Sequence, residues 1–159
     1  MIPFRPKPPA PSLRQGYRLL ENPGLSAEAL NNLLIQTGDK PRSTASWQRV
    51  LERSTWYFAV VKDVVKDVVR EPDRLVGFVR ITSDMALNAN LWDLSADSSD
   101  ATQAEIYLAL VTAALGKLKR ELGGCSISLA APPAALQALK HHGFVLDPGG
   151  IRAMGLALH

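Results

Sequence analysis

The chain has 159 residues, 47% of them apolar and 21% charged, which suits one globular domain able to build its own core. A net charge of +3 without a basic stripe of interleaved aromatics argues against nucleic acid as partner, and no apolar run reaches the ~18 residues of a membrane span. A single cysteine, Cys125, rules out an internal disulfide and fits a reducing compartment, read here as the cytoplasm.

Pro3, Pro6, Pro8, Pro9 and Pro11 prevent the first residues from winding a helix or pairing in a sheet. Residues 1–15 therefore read as a proline-rich flexible tail, either a mobile end or a docking peptide for a protein partner, and residues 16–159 as the domain. Gly16 to Asn22 is expected to be a short strand closed by Pro23-Gly24. Ser26 then caps a helix whose apolar face is Leu30, Leu33, Leu34 and Thr37, ended by Gly38. Thr44 to Arg53 is a second helix, with Trp47, Val50 and Leu51 at core spacing.

Trp56 to Val61 is a strand by its aromatic and β-branched content. The tandem repeat VVKDVVKDVV, residues 60–69, either prolongs this strand into a hairpin arm or forms one helical turn. An exposed valine-rich arm offers an edge to a second copy of the chain, and so a homodimer. Pro72-Asp73 is a turn signal, Leu75 to Thr82 the return strand and Leu91 to Ala96 another. Ala101 to Leu122 is the longest helix, with Val111, Leu115, Leu118 and Leu122 as its stripe. Cys125 to Ala130 is a strand, Pro133 to His142 a helix, and 144–146 with 151–158 a final hairpin. Together these give a mixed α/β sheet of about six to seven strands with helices on both faces.

This element order resembles the GNAT fold of the N-acetyltransferases over about residues 16–158. Local motifs sharpen the likeness: Ser83-Asp84, Asn88-Ala89 and Trp92-Asp93-Leu94, then Gly143-Phe144, Asp147-Pro148, Gly150-Ile151-Arg152 and Met154 are similar to the cyanobacterial and plastid branch of that superfamily. The resemblance implies acetyl-CoA as donor, an amine of a protein or small molecule as acceptor, and no metal. It further implies that Leu94, Ser95 and Ala96 lie where a strand pairs with the pantetheine arm, beside an amide that polarises the thioester carbonyl.

The next segment departs from the family. There, a glycine-containing loop brings helix amides against the pyrophosphate. Aligning Ala109-Leu110-Val111 with the family helix puts Gln103, Ala104, Glu105, Ile106 and Tyr107 on that loop, with Glu105 and Tyr107 at the two glycine positions, and no arginine nearby in sequence. At ~4 Å and an effective dielectric of ~20, each unit-charge repulsion from Glu105 costs about 4 kcal/mol before screening. That weakens affinity by up to roughly a thousandfold. Thr102-Gln103-Ala104-Glu105 also fits a capping box, which would occupy the donors a phosphate needs. The family tyrosine that returns a proton to the thiolate aligns with Leu139.

Asp93 is the best-placed general base by position, or else a structural carboxylate. Asp84 and Asn88 fall on the acceptor side. His141 is the nearest titratable group to the missing acid, with His142 beside it. A helix C-terminus also accounts for both imidazoles. Two readings follow: an N-acetyltransferase with an impaired coenzyme site, or a non-catalytic module of the same fold, a pseudoenzyme, that binds a protein partner.

Overall fold

The computed structural model describes residues 12–66 and 69–150. Strand β1 (Tyr17–Glu21) leads to helices α1 (Ala27–Gln36) and α2 (Thr44–Arg53). Strands β2 (Trp56–Lys66), β3 (Val69–Ser83) and β4 (Asn88–Ala96) follow as a meander. Helix α3 (Gln103–Glu121) then crosses to β5 (Ser126–Leu129), and α4 (Leu136–His141) closes the described chain after a 3₁₀ turn at Pro133–Ala135. The sheet order is β1-β2-β3-β4-β5, antiparallel throughout except for the parallel pair β4–β5. This is a GNAT-type mixed sheet, with five strands among the described residues rather than six to seven. No strand forms at 144–146, where Val145 and Leu146 are exposed, and the expected partner 151–158 lies outside the described residues.

Both early helices start as their sequences dictate. Ser26 Oγ accepts from the Ala29 amide and Ser43 Oγ from the Ser46 amide, and Gly38 ends α1 with a φ of +85° that a side chain would resist. The repeat at 60–69 continues β2 as strand to Lys66. β1 reaches only Lys62 and β4 only Gly77, so the hairpin beyond them projects as an arm.

Alternation along the strands divides the core in two. On one face Ala59, Val61, Leu75 and Phe78 pack with Leu30, Leu33, Leu34 and Trp47 of α1 and α2. On the other, Val60, Val76, Val79, Ile81, Leu91 and Leu94 pack with Ile106, Leu110, Val111 and Leu118 of α3. Gly77 permits the closest approach: a Cβ there would sit 2.4 Å from Ile106 Cγ2 and 3.1 Å from Leu110 Cδ1. The first turns of α3 therefore rest directly on the β3 backbone, which fixes where that helix begins.

Candidate functional site

The β4–β5 ladder runs only from Asn88↔Ser126 to Leu91↔Leu129; from Trp92 onward β4 pairs with β3 alone. Between Phe78↔Ser95 and Arg80↔Trp92 the β4 strand carries one extra residue, a bulge. Asp93 sits in it with φ +52°, and its carbonyl accepts from Ser95 Oγ at 3.0 Å. Aspartate tolerates this left-handed conformation better than most side chains. Leu94, Ser95 and Ala96, the expected pantetheine positions, are all buried.

The protein's own side chains meet the end of that strand. Asp97 N donates to Val76 O across the β3 ladder, so by alternation the Ala96 peptide groups face away from β3. Gln103 Nε2 donates to Ala96 O at 3.1 Å. Burial raises the Tyr107 phenol above its ordinary pKa, against a hydrogen bond from the Ala96 backbone. Tyr107 thus lies in the core at 2% exposure, as does Ile106 at 0%, and neither covers the helix start. Of the five loop residues expected at the coenzyme, only Gln103, Ala104 and Glu105 reach the helix surface.

The capping box does not form. Thr102 makes no side-chain bond to the helix. Its hydroxyl and amide both donate to Asp100 Oδ1, at 2.7 and 2.9 Å, because an ionised carboxylate is the stronger acceptor. Glu105 turns instead to Arg14, whose Nε lies 3.0 and 3.1 Å from its two oxygens and whose Nη2 lies 2.6 Å from Oε1. Gln103 N bonds to Asp100 O and Ile106 N to Thr102 O, while the amides of Ala104 and Glu105 meet no acceptor among the described residues.

Asp100 anchors this corner. Tyr17 Oη donates to both of its oxygens at 2.9 and 3.0 Å, and Lys62 Nζ to Oδ2 at 3.1 Å. Burial opposes its ionisation, but the bonds from Thr102, Lys62 and Tyr17 outweigh that and hold its pKa down at about 2. Asp97, 1% exposed, is bound by the Ser99 amide and hydroxyl and by Arg74. Lys62, Asp100 and Arg14 were missed by the sequence reading. Asp97-Ser-Ser-Asp100 is a run of turn-forming residues from which the two carboxylates could have been found, whereas Arg14 meets Glu105 across 91 positions with no local sign.

Asp93 lies on the other face. Arg42 Nη2 binds its Oδ1 at 2.7 Å and Arg80 Nε its Oδ2 at 2.5 Å. Burial alone would raise its pKa, yet the two guanidiniums bring it below the ordinary carboxylate value. A carboxylate so held is a weak proton acceptor. Asn31 completes the link, its side chain bonding the Arg42 backbone at both ends and accepting from Trp47 Nε1 at 2.8 Å. Asp84 is spent on the β3–β4 turn, where the amides of Asn88, Ala86 and Leu87 hold its pKa at about 2.

His141 is not brought to Asp93. It lines a cleft of about 520 Å³ between α3 and α4 with Ala104, Leu108, Gln137, Ala138 and Lys140. His142 packs edge-on against it and bonds Thr112 Oγ1 at 2.8 Å; burial, then His141 and Lys119, lower its pKa. Leu139 is buried at 2% and offers no proton. A larger apolar cavity of about 580 Å³ lies beyond β5, lined by α4 and residues 144–148, away from β4 and the start of α3. Because it shares no residue with either, the α3–α4 cleft is the better candidate. Among the described residues no carboxylate, histidine and cysteine group could hold a metal, and no helix is long and apolar enough to cross a membrane.

No family model matches the chain. It is 30% identical over 134 residues to GCN5-related N-acetyltransferase 1, chloroplastic, of Arabidopsis thaliana, covering 82% of this chain and 62% of that protein. It is 34% identical over 80 residues to the uncharacterized N-acetyltransferase ycf52 of Gracilaria tenuistipitata var. liui, covering 50% of this chain and 43% of the relative. The chain thus spans less than two thirds of the curated relatives it matches. Among solved structures, a probable acetyltransferase of Staphylococcus aureus superposes with a TM-score of 0.72 at 18% identity, over 89% of this chain and 99% of that one. A GNAT-family acetyltransferase of Streptococcus pneumoniae gives 0.65 at 16% identity, over 90% and 98%. At these identities the structures speak for the fold.

Proposed function

Because the chain belongs to the GNAT superfamily of N-acetyltransferases, we propose that it binds acetyl-CoA weakly at the β4–β5 opening and the start of α3, and transfers the acetyl group slowly to an amine of a protein or small molecule. The observation that carries this reading is the pair of unpartnered amides at Ala104 and Glu105, beside the α3–α4 cleft and at the positive end of the helix dipole. The bulged strand at Asp93 to Ala96 supports it, because the β4–β5 ladder ends at Leu91↔Leu129 and leaves this stretch paired with β3 alone.

Three features argue for impairment. Gln103 and Tyr107 take up the Ala96 peptide groups that a pantetheine arm would use, Asp100 occupies the Thr102 amide, and Leu139 cannot return a proton to a thiolate. A missing general acid alone lowers a rate by roughly 10²–10⁴. Asp93 acts in this proposal as a positioning group that fixes the β4 bulge, not as the base, and His141 as a cleft-lining group near the coenzyme. The same self-capping at Ala96 favours a second reading, a non-catalytic module that keeps the cleft closed and binds a protein partner. The proposed compartment is a reducing one, the cytoplasm by the sequence reading.

Titration calorimetry with acetyl-CoA decides between the two. Under the first reading the protein gives measurable heat at submillimolar to millimolar ligand, and Glu105→Gly, which removes charge and bulk at a surface position, tightens binding. Absence of heat and of any thermal shift at millimolar acetyl-CoA, in both proteins, rejects the first reading and leaves the second.

A further inference from the structure

The start of α3 is approached by a segment that belongs to neither helix nor sheet. Leu13 packs against the α3-side core, Tyr17 N donates to Arg14 O at 3.1 Å, and Tyr17 Oη fixes the other end of the turn to Asp100. Leu13 and Arg14, assigned by sequence to the tail, are thus tied to the domain. Between these anchors Arg14 meets Glu105 through both Nε and Nη2, the fork geometry that only arginine offers a carboxylate. No other described cation pairs with Glu105, and Lys62 is taken by Asp100. Glu105 is also the residue that stands where the family has a glycine, next to Ala104 on the cleft wall.

We propose that Arg14 is an affinity-determining residue of this domain: by pairing with Glu105 it cancels a negative charge in the first turn of α3 and makes that helix start tolerable to the diphosphate of acetyl-CoA. The inference rests on the coenzyme reading above. It assigns to the segment before β1 a task that the glycine-containing loop performs elsewhere in the family. Arg14 works through Glu105, so it is a positioning residue, and its effect must depend on Glu105 being charged.

The test is a double-mutant cycle by titration calorimetry with acetyl-CoA on the full chain: wild type, Arg14→Ala, Glu105→Gln and the double variant. Arg14→Ala is expected to raise Kd about threefold to fivefold at low salt, the upper part of the range of an exposed pair, and the difference should shrink as salt is added. Arg14→Lys should recover much of the loss. With Glu105→Gln present, removing Arg14 should change Kd by less than about twofold. A Kd for Arg14→Ala equal to wild type, or the same loss in both Glu105 backgrounds, overturns the proposal while leaving the coenzyme reading intact. Absence of binding in all four proteins overturns the coenzyme reading and this inference with it. Ligand-free melting curves of the four proteins separate a folding defect from a binding one.

Discussion

Replacing Gly77 by alanine probes the contact that sets the start of α3. The added Cβ would stand 2.4 Å from Ile106 Cγ2, 3.1 Å from Leu110 Cδ1 and 3.3 Å from Val60 Cβ. All three neighbours are 0% exposed, so none can swing into solvent. Overpacking of this kind costs about 1–3 kcal/mol. An opposing term of about 0.4–1 kcal/mol comes from the stiffer unfolded chain. The net loss of about 1–2 kcal/mol corresponds to a fall in Tm of roughly 2–8 °C for a domain of this size. Differential scanning calorimetry reads it directly. Ile106→Ala removes the clashing methyl and leaves only the milder contacts with Leu110 and Val60, so in that background Gly77→Ala should cost much less and should fill part of the cavity. A Gly77→Ala protein that melts at or above wild type, or an unchanged penalty with Ile106→Ala, would refute the claim that α3 is seated on the β3 backbone.

Two further outcomes follow from the carboxylates. Asp93→Asn keeps a side chain that tolerates φ +52° but loses the charge shared by Arg42 and Arg80; thermal melts should show a loss of about 1–3 kcal/mol, and any acetyl transfer should change in KM or stability more than in the shape of its pH profile. Asp100 has a folded pKa of about 2, below its unfolded value of ~3.9. Its contribution is therefore complete above pH ~4 and is lost as the pH falls toward 2. Acid unfolding monitored by circular dichroism should be steeper in wild type than in Asp100→Asn across that window, and equal steepness would show that the Tyr17–Asp100–Lys62 cluster adds nothing to the fold.

Much of the architecture was legible because its signals are local. Ser26, Gly38 and the Leu30, Leu33, Leu34 face gave α1 nearly to the residue, and the valine repeat resolved into strand because β-branched pairs favour the pleat over a helical turn. The site was legible as a region and not as a set of contacts. Thr102 and Glu105 match a capping box in sequence, but a stronger local acceptor, Asp100, and a distant cation, Arg14, took their hydrogen bonds. Tyr107 stands at a glycine position of the family, yet its ring turns into the core, a direction that spacing along the chain could not give. Asp93 was placed on the right strand; its pairing with Arg80 comes from the neighbouring strand β3, and that with Arg42 arises only once the α1–α2 connection folds over the bulge.

The uneven stitching of the sheet bears on how the molecule breathes. Strands β2 to β4 are joined by antiparallel ladders over short connections, whereas β5 is held by four register pairs and reached only after the whole of α3. Pairings closed over short loops form first and open last. The edge made by β5 and α4, whose α4 residues wall the cleft, is consequently the part whose amides exchange with solvent soonest, and a ligand lodged between β4 and β5 would act as the missing rungs of that ladder.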